Sequence, residues 1–195
     1  MKSLFSKYLI ILKYLPAMLL LSCVGLSIAQ DAFRFRPWSG DTPPLVLKDL
    51  DGKLFDLSKY RGKVVIVNFM ATWCGPCVEE MPSLQKLREQ FRGKGLEVIA
   101  VNTGESEAKV SQFAQNLRIK FPVLLDPDEE VKAAWKVYGI PATFIVGTDG
   151  KIAYRVLGEI DWLEAESVSL IESLLPEEQK IKRASTAYSI SVGIR

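Results

Sequence analysis

Two apolar rhythms alternate along the chain. The run Val64-Val65-Ile66-Val67-Asn68-Phe69 is almost unbroken, as expected of a strand covered on both faces. Val78, Met81, Leu84, Leu87 and Phe91 then recur at helical spacing, and Gly93 and Gly95 mark the end of that helix. Residues 96–101 read as a second buried strand, 110–117 as a helix, 121–125 as a short strand and 129–137 as another helix. Strands at 143–146 and 152–156 are joined across the turn Thr148-Asp149-Gly150-Lys151, and a last helix runs from about residue 162 to 175. Upstream, Leu45-Val46-Leu47 and Leu54-Phe55-Asp56-Leu57 flank the turn at 49–53 as a hairpin. The pattern predicts an α/β domain, a β-α-β unit followed by β-β-α around one mixed sheet.

The amino end follows a different rule. Lys2, Lys7 and Lys13 precede an apolar run over residues 14–29, after which Asp31, Arg34 and Arg36 begin a polar chain. This is the layout of an export signal, and Ser27-Ile28-Ala29 supplies the small residues of a cleavage site. Residues 4–12 are also largely apolar, which allows an uncleaved anchor, and Leu20-Leu21-Ser22-Cys23 allows a lipid on Cys23. All three outcomes place the rest of the chain outside the cytoplasm, and membrane association through this segment is the expectation. The chain therefore divides into a signal or anchor at 1–29, a linker at 30–42, a domain at 43–175 and a polar tail at 176–195 without an assigned role.

Composition then removes whole classes of chemistry. With a net charge of +2, nothing recommends nucleic acid as a partner. Histidine is absent, which excludes Ser-His-Asp and Cys-His nucleophiles and imidazole zinc sites. Three cysteines cannot build a four-cysteine metal site, and no metal is expected. What survives is Cys74-Gly75-Pro76-Cys77, which the residues alone leave open as a metal clamp, an inert staple or an electron-carrying thiol pair.

Trp73-Cys74-Gly75-Pro76-Cys77 directly after a buried strand, together with Gly139-Ile140-Pro141-Ala142-Thr143 before a later one, resembles the thioredoxin fold. More closely, the export segment, Glu80 after the cysteine pair, and the inserted stretch at 100–106 with its following helix resemble the TlpA/ResA family of extracytoplasmic thiol-disulfide oxidoreductases. The resemblance spans roughly residues 41–175. It implies a central mixed β-sheet flanked by helices, an N-terminal β-hairpin and a TlpA-type β-α insertion, with no cofactor beyond a redox-active Cys74–Cys77 disulfide.

The physics of the motif agrees. Cys74 falls where a strand gives way to a helix, so unpaired amides and the positive end of the helix dipole favour its thiolate. Cys74 is the expected nucleophile, and Cys77, one turn on, is placed to resolve the mixed disulfide. A purely structural bond across two residues would constrain the unfolded chain too little to matter. Gly75 and Pro76 are expected to let the turn form, with Pro76 in the first helical turn where its missing amide costs little. By the resemblance, Ile140-Pro141 has a cis bond and pairs with substrate backbone, and Trp73 shields one side of the cysteines. Ordinary thioredoxins carry a buried aspartate six positions before the first cysteine, where this chain has Asn68. Glu80, about one turn from Cys77, is expected to handle the proton instead, with Glu79 solvated and Pro82 kinking the helix.

The resemblance further implies a reductase of protein disulfides, with the CxxCH segment of apocytochrome c as a target in cytochrome c maturation and a membrane thiol protein as electron donor. Two other functions use the same cysteines. A peroxiredoxin-like thiol peroxidase lacks the expected approach to Cys74 in Ala71-Thr72-Trp73, and a copper chaperone lacks methionine or histidine beside the pair.

Overall fold

The computed structural model describes residues 34–177; the expected export segment, Cys23 and the tail beyond residue 177 lie outside them. The chain divides into two units, Met1–Arg36 and Pro37–Arg195, and the fold belongs to the second. β1 (Arg36–Pro37) falls on the boundary, and the strands of the second unit are β2 (Val46–Lys48), β3 (Leu54–Asp56), β4 (Val64–Met70), β5 (Leu96–Thr103), β6 (Val123–Asp126), β7 (Ala142–Val146) and β8 (Ile152–Leu157). The helices are α1 (Gly75–Gln90), α2 (Glu107–Asn116), α3 (Glu130–Ala134) and α4 (Ala165–Leu174). The main sheet has the order β1-β8-β7-β4-β5-β6, and β2 and β3 pair antiparallel as the expected hairpin.

β4 is central because its sequence permits nothing else: all seven of its residues are buried, and six of them are apolar. It runs parallel to β5 and antiparallel to β7, giving the mixed sheet of a thioredoxin fold. One face carries the aromatic core of Phe69, Trp135 and Phe144, with ring centroids 5.1–5.8 Å apart in tilted and edge-on contacts. Such pairs contribute roughly 0.5–1.5 kcal/mol each beyond the area they bury. Leu45, Phe55 and Leu57 of the hairpin region close over the same cluster.

Helix boundaries depart from the apolar pattern in three places: α2 starts at Glu107, three residues before Val110, its one buried residue, and the other two have identifiable reasons. α3 is only five residues long, bracketed by left-handed backbone at Glu129 and Lys136, because Trp135 turns inward to the core rather than continuing a helical stripe. α4 begins at Ala165 rather than near residue 162, since Trp162 is held in the interior before the helix starts. α1 does run through Pro82, and its buried face is Cys77, Glu80, Met81, Leu84 and Leu87. That face includes a glutamate.

Candidate active site

β4 ends at Met70, a short loop over residues 71–74 follows, and α1 begins. Cys74 is the N-cap of α1: its Sγ accepts from the Cys77 amide at 3.3 Å, while its own amide donates to the Ala71 carbonyl at 3.2 Å. A thiolate at this position would meet a backbone donor already aimed at it and the positive end of a four-turn helix. Cys74 and Cys77 form a disulfide with Cα atoms 5.2 Å apart. Cys74 is 6% exposed and Cys77 fully buried, so an incoming sulfur meets Cys74 first.

The neighbouring positions are mixed. Pro76 lies in the first turn of the helix and is exposed, as is Gly75. The turn itself does not need glycine: Gly75 has no left-handed φ, and a β-carbon there would meet no atom within 4 Å, which corrects the conformational reading of that residue. The missing side chain instead leaves the surface open beside the sulfurs. Trp73 is 70% exposed. The Ile140-Pro141 bond is cis, with Pro141 buried and its carbonyl accepting from the Gly158 amide at 3.0 Å. Register pairs Phe69 with Ala142, so Pro141 sits level with the end of β4, where the cysteine loop departs.

Beneath this surface lies Glu80, 3% exposed. Its Oε1 accepts from Asn68 Nδ2 at 2.7 Å and its Oε2 from Trp162 Nε1 at 3.4 Å. Asn68 also donates to Thr143 Oγ1 at 2.9 Å, tying β4, β7 and α1 together at one point. Burial pushes the Glu80 carboxyl up; the donors Asn68, Trp162 and the Ile160 backbone pull the other way without prevailing, and the charge of Glu159 adds to the rise, so its pKa stands at about 7. All of the donors are neutral groups, too weak to outweigh removal from water. A surface groove of about 360 Å³, lined by Glu79, Glu80, Ser83, Lys86, Glu159 and Asp161 among others, leads to this side chain. Glu79 itself is exposed.

A second buried acid, without a role in the sequence reading, is Glu105, just past β5. It accepts from the Thr72 amide at 2.6 Å, the Thr72 hydroxyl at 2.7 Å and Asn102 Nδ2 at 2.8 Å, and pairs with Lys109 Nζ at 2.6 Å. The signal that could have found it is an acid placed directly after the carboxyl end of a buried parallel strand, the edge where sites in α/β folds gather.

The AhpC/TSA family model matches residues 40–155. The chain is 41% identical over 118 residues to the thiol-disulfide oxidoreductase ResA of Bacillus subtilis, a match covering 60% of this chain and 66% of that relative, just under two thirds. It is 34% identical over 152 residues to the ResA of Geobacillus thermodenitrificans, covering 76% and 87%. Among solved structures, a thioredoxin-family thiol:disulfide interchange protein from Chlorobium tepidum superposes with a TM-score of 0.62 at 25% identity, over 71% of this chain and 97% of that one.

Proposed function

The chain belongs to the AhpC/TSA family and is a ResA-like thiol-disulfide oxidoreductase, and we propose that it works outside the cytoplasm as a reductase of protein disulfides. The observation that carries this reading is the placement of Cys74: the more accessible sulfur of the pair, at a helix N-terminus, with the Cys77 amide directed at it. In the proposed cycle the reduced Cys74 thiolate attacks one sulfur of a target disulfide, forming a Cys74–target bond and releasing the other target sulfur as a thiolate, which takes up a proton. Cys77 then gives its proton to Glu80 and attacks Cys74 Sγ; the second target sulfur leaves, and the enzyme is oxidised by two electrons. A base with its pKa near 7 can take a thiol proton and return it to water at neutral pH.

Trp73, Gly75, Pro76, Ile140 and Pro141 are proposed to receive the target as an extended segment. The target class is a protein disulfide such as the CxxCH of apocytochrome c, in cytochrome c maturation, with a membrane-bound thiol protein returning the electrons. Support for the location comes from the lysine-flanked apolar run at 14–29. Among the described residues no helix is long and apolar enough to cross a membrane, so attachment rests on that segment.

The test sets three assays side by side: reduction of a disulfide-bonded CxxCH peptide and of insulin, consumption of hydrogen peroxide, and binding of Cu(I). Catalysed disulfide reduction that Cys74→Ser abolishes is expected. Peroxide turnover that outpaces disulfide reduction, or tight copper binding without it, would contradict the proposal. Mass spectrometry of the native amino end, from the membrane fraction, should find Met1 or a modified Cys23; a soluble chain beginning at Gln30 would refute the attachment.

A further inference from the structure

The loop from Ala71 to Cys74 carries the reactive sulfur, yet packing does little to hold its centre. Thr72 is half-buried and Trp73 stands 70% exposed. Its tether is Glu105, whose two carboxylate oxygens grip the Thr72 amide and hydroxyl at 2.6 and 2.7 Å, two residues ahead of Cys74. Asn102 Nδ2 donates to the same carboxylate at 2.8 Å, and Asn102 is itself fully buried at the end region of β5. Lys109 from α2 supplies the charge at 2.6 Å. One carboxylate thus joins β5, α2 and the cysteine loop, and four donor contacts converge on its two oxygens.

We infer that Glu105 is a positioning residue for the thiol chemistry: by clamping Thr72 it fixes the loop so that Cys74 stays seated as the N-cap of α1, facing the Cys77 amide. This rests on the reading of Cys74 as the attacking thiol. A carboxylate can influence a thiolate in two opposite ways. Its negative field alone would raise the Cys74 pKa, so removing the charge would lower it. Its clamp preserves the amide and helix-end stabilisation of the thiolate, so loosening it should raise the pKa. The Glu105 carboxyl is pushed up by burial but held down to about 2 by Lys109, the Thr72 amide, Asn102 and the Thr72 hydroxyl, and it therefore stays ionised across the range in which the thiol titrates.

The experiment follows the pH dependence of iodoacetamide alkylation of Cys74 in the reduced full-length protein, with thermal unfolding recorded alongside. Glu105→Gln keeps the shape but removes the charge and half the acceptor capacity. Thr72→Val keeps the charge and removes only the hydroxyl donor. The alkylation midpoint should rise in both, by about half a pH unit in Glu105→Gln, equivalent to about threefold less thiolate near neutrality, and by a smaller step in Thr72→Val. A role confined to stability would lower the unfolding temperature and leave the midpoint where it was. An unchanged or lowered midpoint in either folded variant overturns the inference, and if Glu105→Gln does not fold, Thr72→Val decides alone. Faster labelling of Cys77 than Cys74 in the unsubstituted protein would defeat the underlying reading; correct labelling order with an unmoved midpoint defeats only the role of Glu105.

Discussion

Glu80 and Glu105 are both buried, at 3% and 8% exposure, and both belong to hydrogen-bond networks that anchor elements around the cysteine pair, yet their carboxyls stand at about 7 and about 2. The difference lies in depth and in donors: Glu80 is the more deeply enclosed of the two, so desolvation weighs more on it, and the groups that meet the two carboxylates differ. Glu80 meets an amide, an indole and a backbone group, all neutral, and desolvation wins. Glu105 meets an ammonium in addition to three neutral donors, and the charged form wins despite burial. Low exposure alone does not set protonation; depth of enclosure and the charge and number of the donors decide it together. One acid can therefore carry a proton at neutral pH, while the other, permanently charged, can only hold something in place.

The largest effect would come from removing the sulfurs that both acids serve. Cys74→Ser should abolish disulfide reduction, and Cys77→Ser should accumulate a mixed disulfide with target through Cys74, read by mass spectrometry. A mixed disulfide through Cys77 in Cys74→Ser, with turnover retained, would reverse the assignment of roles and leave neither carboxylate with its proposed task.

Next in size is the dependence of stability on pH, where the two acids have opposite signs. In the oxidised protein the folded Glu80 keeps a proton that the unfolded chain releases above its ordinary pKa of 4.5. Its contribution is fully present below 4.5 and is lost as pH rises through about 7, a change on the order of 3 kcal/mol at about 1.4 kcal/mol per pKa unit. Glu105, depressed to about 2, contributes above 4.5 and loses that contribution as pH falls toward 2. Urea unfolding of the oxidised variants should show Glu80→Gln gaining on the unsubstituted protein from pH 4.5 to 8, and Glu105→Gln losing less than it below pH 4.5. Parallel profiles for all three proteins would erase the contrast.

A smaller effect is kinetic. Glu80→Gln should leave the fold and disulfide intact but slow thiol exchange and shift its pH dependence, by less than the tenfold that one pKa unit represents, since nucleophilicity falls as thiol pKa falls. The smallest expected change is none: Glu79→Gln, one position away on the exposed side of the helix, should exchange and titrate like the unsubstituted protein. Equal behaviour of the two variants would mean that Glu80 does not carry the proton.

Much of this arrangement is legible from residues. The run at 64–69, apolar but for Asn68, predicts a doubly covered strand, and the spacing of Val78 to Phe91 predicts a helix directly after the cysteines. A proton role for Glu80 could be expected because Asn68 cannot titrate, but the hydrogen bond that joins the two at 2.7 Å could not. Trp162 as a third partner could not, since a tryptophan 82 positions away reaches Glu80 only through the tertiary packing of the segment before α4. Glu105 could be marked as an acid just past a buried strand, but its partner could not: the grip on Thr72 spans 33 residues and joins the loop after β4 to the residues just past the adjacent parallel β5. α3 is shorter than the expected 129–137 because Trp135 and Val137 serve the core from irregular backbone past its end.

The contrast between the two acids is tested most directly by carbon-13 NMR titration of the glutamate side-chain carboxyls in the oxidised protein, with Glu80→Gln and Glu105→Gln assigning the two resonances. The Glu80 carboxyl should change state near pH 7, and the Glu105 carboxyl should still be ionised well below pH 4. A Glu80 resonance that titrates at its ordinary value of 4.5 would contradict that contrast, leaving Cys77 without the proton acceptor on which the proposed cycle depends.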